Sequence, residues 1–574
     1  MQIQHIKLKS IILLLLLGIS TLSSQTTNNT TDDFIRKSER DRVMEEERIR
    51  QQELDEAYSK RLESVPALPD QRLPKVEPKA SGSFQVDKFV FFISGKESLP
   101  RKLFFLKNII RRENIAYANA KFLDELIGRL TIELYTRGFV TTLLHLPQQD
   151  FENGIVRIEV IPGHINKLIT ENPKSLRSFQ MILPRLNERI LDYRELENGI
   201  DRIERLNSHQ AEFQIAPSTR KGYSDVICKM KHGKRWLRTL SFDDAYTKNL
   251  GEYTLRGNYS YDNPLGLADF FSINASTALN APSLVKRRGH GITYEIPLDQ
   301  VLTRFGANWN YSSLPIGVNK TASETKSLGL NIDWSIKGYR NKYFKSEFGC
   351  TLTNYLSRKF LGGVEEPVSR RKTTSLALRY NATWFIGRAS LNATLSGKWA
   401  LPWFNSDQDA SNKLNTDPTY EFEIYNLNLV YTNRGNLTKA QPFTWTSVIN
   451  AQYTDDILYN SEQFSIGSRY SVRGYGDEFS VSAEKGFFVR NEIAFPLKPI
   501  LKVNPTLYFG VDYGKVTGYS DRYNDDNDLA GAFVGMRANW KKINANITWA
   551  EPLLGELSRK ELGDRLAMNL SYSF

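Results

Sequence analysis

At 574 residues the chain is too long for one ordinary domain, and two to four are expected. Its formal net charge of +12 is spread along the whole length without a Lys/Arg block, so no nucleic-acid site follows from it. Two cysteines, Cys228 and Cys350, and six scattered histidines give neither a disulfide framework nor metal-ligand spacing, and no cofactor or metal is implied.

The first 24 residues read as a secretory signal. Lys7 and Lys9 precede an apolar run from Ile11 to Leu17, and the small residues Ser20, Thr21, Ser23 and Ser24 follow. The run is shorter than the roughly 20 residues a spanning helix needs, and no later stretch reaches that length. An exported chain without such a helix crosses a membrane only as a closed β-barrel. If the chain is a membrane protein it is therefore a barrel, and an exported barrel points to the outer membrane of a diderm, Gram-negative bacterium.

Residues 25–62 carry a charged helical segment. Residues 32–62 are rich in Glu, Arg, Gln and Lys, lack Gly and Pro, and pair Glu46 with Arg50 at i,i+4. Its apolar residues are too sparse for a core-facing stripe, so it fits either a solvated arm or a helix lodged in a polar cavity. Residues 63–83, with prolines at 66, 69, 74 and 78, form an extended, semi-rigid linker.

Residues 84–163 predict a βααββ unit: a strand over 84–93, helices near 101–112 and 119–135, then strands over 139–146 and 154–161. The same order recurs over 164–234, with strands at 164–169, 210–215 and 223–230 and helices near 175–186 and 192–206. Two tandem units point to a duplication; the alternative is one larger α+β domain. Their sheet edges can accept an extended peptide.

From 235 to 574 helical periodicity gives way to alternation, in about sixteen segments whose lengths suit membrane strands with short turns and longer outer loops. Many end in Tyr, Trp or Phe, as interfacial girdles require. The last ten residues show the pattern most clearly: Leu566, Met568, Leu570, Tyr572 and Phe574 alternate with Ala567, Asn569, Ser571 and Ser573. Alone, this is an edge strand of a soluble sandwich or the closing strand of a barrel. About sixteen strands enclose a lumen wide enough for an aqueous channel, and an even count puts both termini in the periplasm.

Two stretches break the alternation. Val472-Arg473-Gly474-Tyr475 lies in a connection of about 28 residues, a length usually functional or disordered. Asp512, followed by Gly514, sits on a strand where it faces the lumen if Val511 and Tyr513 face lipid. Arg473 and Asp512 would form a charge-assisted bond if the loop folded inward. Without that folding they are an ordinary surface loop and a lumen-lining carboxylate.

The signal, charged helix, Pro-rich linker, two βααββ units, VRGY at 472–475, Asp512 with Gly514, and terminal Phe574 together resemble the TpsB transporters of two-partner secretion. These belong to the Omp85 superfamily and include haemolysin, filamentous haemagglutinin and contact-dependent-inhibition exporters. The resemblance implies a fold of about sixteen antiparallel strands behind two periplasmic POTRA domains and an N-terminal helix that plugs the barrel. It implies a monomeric, porin-like channel, without enzymatic activity, that captures one large unfolded TpsA exoprotein and secretes it, with client activation among the implied capabilities. Arg473 would pair with Asp512, and Phe574 would be the barrel-assembly signal read with periplasmic chaperones and the assembly machinery. Outer-membrane lipid is the other implied partner, and no nucleic acid is. Many relatives carry a Phe two positions before this Asp; here that position is Gly510 and the aromatic is Phe509. The alternative is an Omp85-type assembly factor, which usually has more POTRA units. A diffusion porin needs no periplasmic modules, and an outer-membrane enzyme lacks a GxSxG nucleophile elbow here.

Overall fold

The computed structural model describes residues 37, 39–46, 48–50, 52, 82–183, 189–244, 251–282, 285–316, 320–341, 343–439, 441–475, 480–520, 527–554 and 566–574. The expected signal at 1–24, nearly all of the 63–83 linker, and the end of the helix expected near 175–186 lie outside them.

In the first periplasmic unit, β1 (Phe84–Gln85), β2 (Lys88–Phe92), β3 (Tyr117–Ala118), β4 (Leu143–His145) and β5 (Ile155–Ile161) frame helices α1 (Phe105–Glu113) and α2 (Ala120–Thr136). The sheet runs β2-β5-β4, with β2 parallel and β4 antiparallel to β5. Asn119 starts α2 by accepting the Phe122 N–H at 2.9 Å. Leu123, Leu126, Leu130 and Leu134 then meet Val156 and Ile158 in the core, each apolar side chain contributing about 2 kcal/mol. Two expected strands are shorter than the sequence suggests. The one at 84–93 splits into β1 and β2, because β1 turns aside to pair with β3. The one at 139–146 begins only at Leu143, because Phe139 enters the core and the Thr142 N–H folds back to its carbonyl.

The second unit repeats this topology. Strands β6 (His164–Thr170), β7 (His209–Pro217) and β8 (Tyr223–His232) make a β6-β8-β7 sheet, with β6 parallel to β8, packed under α3 (Pro173–Ile182) and α4 (Tyr193–Glu204). Asp192 caps α4 through the Arg194 N–H at 3.1 Å. Phe179, Ile182, Leu196, Ile203 and Val226 fill its core.

The rest closes into a sixteen-stranded antiparallel barrel. Its first strands are β9 (Trp236–Asp243), β10 (Tyr253–Asp262), β11 (Phe270–Leu279), β12 (Lys286–Leu298), β13 (Val301–Ile316), β14 (Thr321–Arg340) and β15 (Phe344–Leu361). After the two-residue β16 (Val364–Glu365) come β17 (Arg371–Ile386), β18 (Ala389–Leu401), β19 (Glu423–Thr438) and β20 (Gln441–Tyr453). A hairpin of β21 (Phe464–Ile466) and β22 (Val481–Ala483) stands apart from the wall. The wall then continues with β23 (Lys485–Pro496), β24 (Asn504–Thr517), β25 (Asp528–Trp540), β26 (Ile543–Pro552) and β27 (Leu566–Ser573). β27 returns to β9, from Asn569 opposite Asp243 to Ser573 opposite Thr239.

Alternation sorts the wall into two faces. Phe305, Leu328, Leu330, Phe348, Leu570 and Tyr572 are exposed outward, as lipid contact demands. Inward polar groups satisfy one another: Asp333 accepts the Thr351 hydroxyl at 2.6 Å and Arg379 at 3.2 Å. The second periplasmic unit sits on the rim, where Arg202 of α4 donates to the Asp299 and Gln300 carbonyls at 2.8 and 2.6 Å. Arg340 at the end of β14 meets Asp201 at 2.5 Å. These contacts identify the β12–β13 and β14–β15 turns as periplasmic.

Candidate functional site

The described residues of the connection over 454–484 do not stay outside the barrel. Its β21–β22 hairpin and the segment between its strands pack into a cluster of Phe464, Ile466, Val472 and Tyr475 against Phe488 of β23 and Val516 of β24. Val472 lies against Gly514, where a Cβ would stand 2.9 Å from its Cγ2. Gly474 adopts φ +110, a region an L side chain rarely enters, and its Cα lies so close to β26 that a Cβ would come within 2.6 Å of the Glu551 carbonyl. The Tyr475 hydroxyl donates toward the Ala530 and Leu554 carbonyls at 2.8 and 2.7 Å and accepts the Ala530 N–H at 3.0 Å. The loop tip thus reaches across β24, β25 and β26.

Arg473 is the centre of this seat. Its Nε and Nη2 donate to the two Asp512 oxygens at 2.6 and 2.8 Å, and its backbone N–H adds a third bond to the same carboxylate at 3.2 Å. Arg473 is 7% exposed and Asp512 2%, so the pair is desolvated and its geometry decides its worth. A bidentate fork with a further N–H is the arrangement that repays desolvation. Removing one partner strands the other and costs about 3–5 kcal/mol.

The wall supplies more than Asp512. Glu492 of β23 accepts Arg473 Nη1 at 3.3 Å and Arg537 Nη2 of β25 at 2.7 Å, extending an alternating row of charges. Under each arginine lies a ring. The Arg473 guanidinium stands 3.2 Å from the Phe533 ring centre, and Arg537 stands 4.0 Å from Tyr508. Tyr508 is fixed by donating to Asn546 at 2.7 Å and by the Thr548 hydroxyl. Phe533 pairs in register with Gly510, whose missing side chain makes room: a Cβ there would come within 2.8 Å of the Phe533 ring. The aromatic beside Arg473 thus comes from β25, while Phe509 of β24 points outward, 42% exposed.

The N-terminal helix meets the same lumen. The described residues between 37 and 52 are helical. Lys37 donates to Ser482 of the hairpin at 3.1 Å, Glu39 meets Arg256 of β10 at 2.9 Å, Glu45 meets Arg490 of β23 at 3.4 Å, and Gln52 donates to Thr432 of β19 at 2.9 Å. These are the second, twelfth and tenth strands of the ring, so the helix touches well-separated parts of the wall from within. Arg490 also donates to the Tyr470 carbonyl at 3.0 Å, so one wall residue holds both helix and loop.

Val472, Arg473, Gly474, Tyr475, Asp512 and Gly514 are therefore brought together. Phe574 is not: it lies at the β9–β27 seam, stacked on Tyr572 at 5.4 Å, with its backbone bonded to Arg238. Glu492, Arg537, Phe533, Tyr508, Arg490 and Arg256 escape the sequence reading. The spacing Arg490-x-Glu492 within an alternating strand was the one usable signal, since both charges must face the lumen together. Among the described residues no group of His, Cys, Asp and Glu is placed to hold a metal ion.

Residues 222–538, more than half of the chain, match the family described as haemolysin secretion/activation protein ShlB/FhaC/HecB. The chain belongs to that family. Residues 105–163 match the ShlB-type POTRA domain and 164–217 a second POTRA domain, the two βααββ units described above. Outer membrane transporter CdiB-2 of Burkholderia pseudomallei (strain 1026b) is 27% identical over 484 residues, 81% of this chain and 81% of that protein. Hemolysin transporter protein HpmB of Proteus mirabilis is 24% identical over 462 residues, 79% of this chain and 80% of that protein. The solved structure of CdiB from Escherichia coli superposes with a TM-score of 0.77 at 22% identity, covering 93% of this chain and 98% of that one, and so shares the fold. The matched range includes both VRGY and Asp512.

Proposed function

We propose that this chain is an outer-membrane transporter of two-partner secretion, which takes one large unfolded exoprotein of the haemolysin, adhesin or contact-dependent-inhibition class across the outer membrane. The observation that carries the reading is a polar helix inside the lumen, held to the wall by ion pairs and hydrogen bonds, beside a loop clamped to the same wall by Arg473 and Asp512. The helix contacts can be exchanged for water without exposing a hydrophobic surface, so the helix suits reversible plugging, whereas the loop stays seated on its apolar cluster. The POTRA units offer sheet edges to an extended client beneath the rim. The chain acts as receptor and conduit and performs no covalent chemistry; folding of the client outside biases its transit. Residues 1–24 direct export, the helix at 25–62 is the plug, and the 63–83 linker lets it leave the barrel while staying tethered. Phe574 marks the chain for periplasmic chaperones and the barrel-assembly machinery, and the finished barrel works as a monomer.

The test is the secreted and outer-membrane protein content of the host with and without the gene. Loss of one very large secreted protein, with other barrels unchanged, supports a dedicated exporter. A general fall in outer-membrane barrels overturns it in favour of an assembly factor. In the same host Arg473→Ala is expected to reduce secretion at least tenfold while the barrel still assembles; normal secretion removes the clamp from the mechanism.

A further inference from the structure

We propose that the joint between the second POTRA unit and the barrel rim is a binding site for an anionic phospholipid of the periplasmic leaflet, with its head in a cationic cavity and its tail in an adjoining apolar groove. The cavity, of about 250 Å³, lies between α4 and the β12–β13 and β14–β15 turns. Its carboxylates are largely engaged: Asp192 holds Arg194 at 2.9 Å, and Glu195 holds Lys102 at 2.7 Å. Two of its other cations are paired as well, Arg340 with Asp201 and Lys337 with Glu347, both at 2.5 Å. Arg189 and Arg202 remain. The Arg189 side chain has no partner among the described residues. Arg202 is 6% exposed and, among the described residues, donates only to the carbonyls of Ile182, Asp299 and Gln300, so its charge lines the cavity without a bonded carboxylate there. Burial pushes its guanidinium down, and the exposed Asp299 is the largest opposing influence. A buried cation of this kind favours an anion in the cavity beside it.

An apolar groove lies next to the cavity along the same stretches of chain. Val301 of β13 follows Gln300 of the turn, and Trp334 to Ile336 precede Lys337 on β14, so neighbouring residues of the chain line the two spaces. Gly338 joins them, since a Cβ there would stand 3.2 Å from the Phe348 ring. The groove, of about 570 Å³, runs over the outward faces of β14 to β18 past Leu378, Leu395 and Trp399. Tyr339, 57% exposed, stands at the junction, as a girdle residue at headgroup level does. A soluble anion would use the cavity and leave the groove empty; a phospholipid fills both.

The test uses the full chain, purified in detergent and stripped of lipid, without client, so its outcome is independent of export. Phosphatidylglycerol and phosphatidylethanolamine are titrated in turn, and retained lipid is counted by native mass spectrometry beside thermal unfolding. Phosphatidylglycerol is expected to be retained about fivefold better and to raise Tm further. Arg189→Glu should abolish that preference with the lipid-free Tm unchanged. Cys350→Trp, which fills the groove, should weaken phosphatidylglycerol retention but not binding of glycerophosphoglycerol. Equal retention of the two lipids, or an undiminished preference in Arg189→Glu, overturns the site.

Discussion

Arg473 shows how one side chain specifies the position of a whole loop. Its guanidinium is satisfied by two carboxylates of neighbouring strands and backed by Phe533, a set of partners that fixes where the loop tip sits on the wall. Closeness is set by glycines. Gly531 lies opposite Asp512, and its absent Cβ is what lets the Arg473 carbonyl approach the strand. Gly531→Ala drives a methyl into that backbone oxygen, where no side-chain rotamer can relieve it. The loop must lift, at a cost of about 1–3 kcal/mol typical of overpacking. The expected outcome is an assembled barrel with a lower Tm and larger, noisier single-channel currents in planar bilayers. Wild-type currents would mean that the close seat does not control the channel. Arg473 and Asp512 were legible in the sequence because a loop arginine beside a glycine, and a carboxylate inside an alternating strand, both break a regular pattern. Phe533 was not, because an aromatic in a barrel strand reads as lipid-facing until the register shows Gly510 beside it.

At the scale of elements, the strands were readable because lipid outside and water inside impose a period of two on every one of them. The POTRA helices were readable for a similar reason, each burying a single stripe. The N-terminal helix was not, since its all-round polarity suits solvent and a wet lumen equally. Its location depends on Arg256, Thr432 and Arg490, residues 217, 380 and 445 positions from their partners. The same holds for the β21–β22 hairpin, three residues per strand and too short to announce itself. If the helix must leave for a client to pass, holding it should stop export. Cysteines at Gln52 and Thr432, whose side chains meet at 2.9 Å, joined by a short thiol cross-linker, test this in cells. Secretion is expected to fall at least tenfold on cross-linking and to recover with a cleavable linker and reductant. Export through a fully cross-linked barrel would show that the client passes beside the helix.

Under the proposed function the setting of the second POTRA unit on the rim matters to the whole molecule, because a client captured there must enter the lumen. One part of the joint is sensitive to pH. His209 at the start of β7 bonds through Nδ1 to the Ser208 hydroxyl at 2.7 Å, and its Nε2 faces the Asn263 amide nitrogen at 3.5 Å on the β10–β11 turn. An Asn amide donates, so this nitrogen must be unprotonated for the contact to hold. Burial lowers the imidazole to about 4, with His232 edge-on at 4.8 Å adding to the effect; Arg235 and Arg205 act the same way and Asp262 opposes them. Release returns the imidazole toward its ordinary value near 6.5. Docking is therefore fully favoured above about pH 6.5 and weakens as pH falls toward about 4, because the undocked state takes up the proton first. Hydrogen exchange at Ser208, whose N–H donates to Asp262 at 2.8 Å, and at the bonded amides of 262 and 263 reports on the joint. After correction for intrinsic rates, these amides should exchange faster at pH 5 than at pH 7. His209→Gln, which keeps a polar side chain without a titrating ring, should flatten that dependence. An unchanged slope in the variant would assign the pH response to other groups and leave His209 a packing residue of the joint.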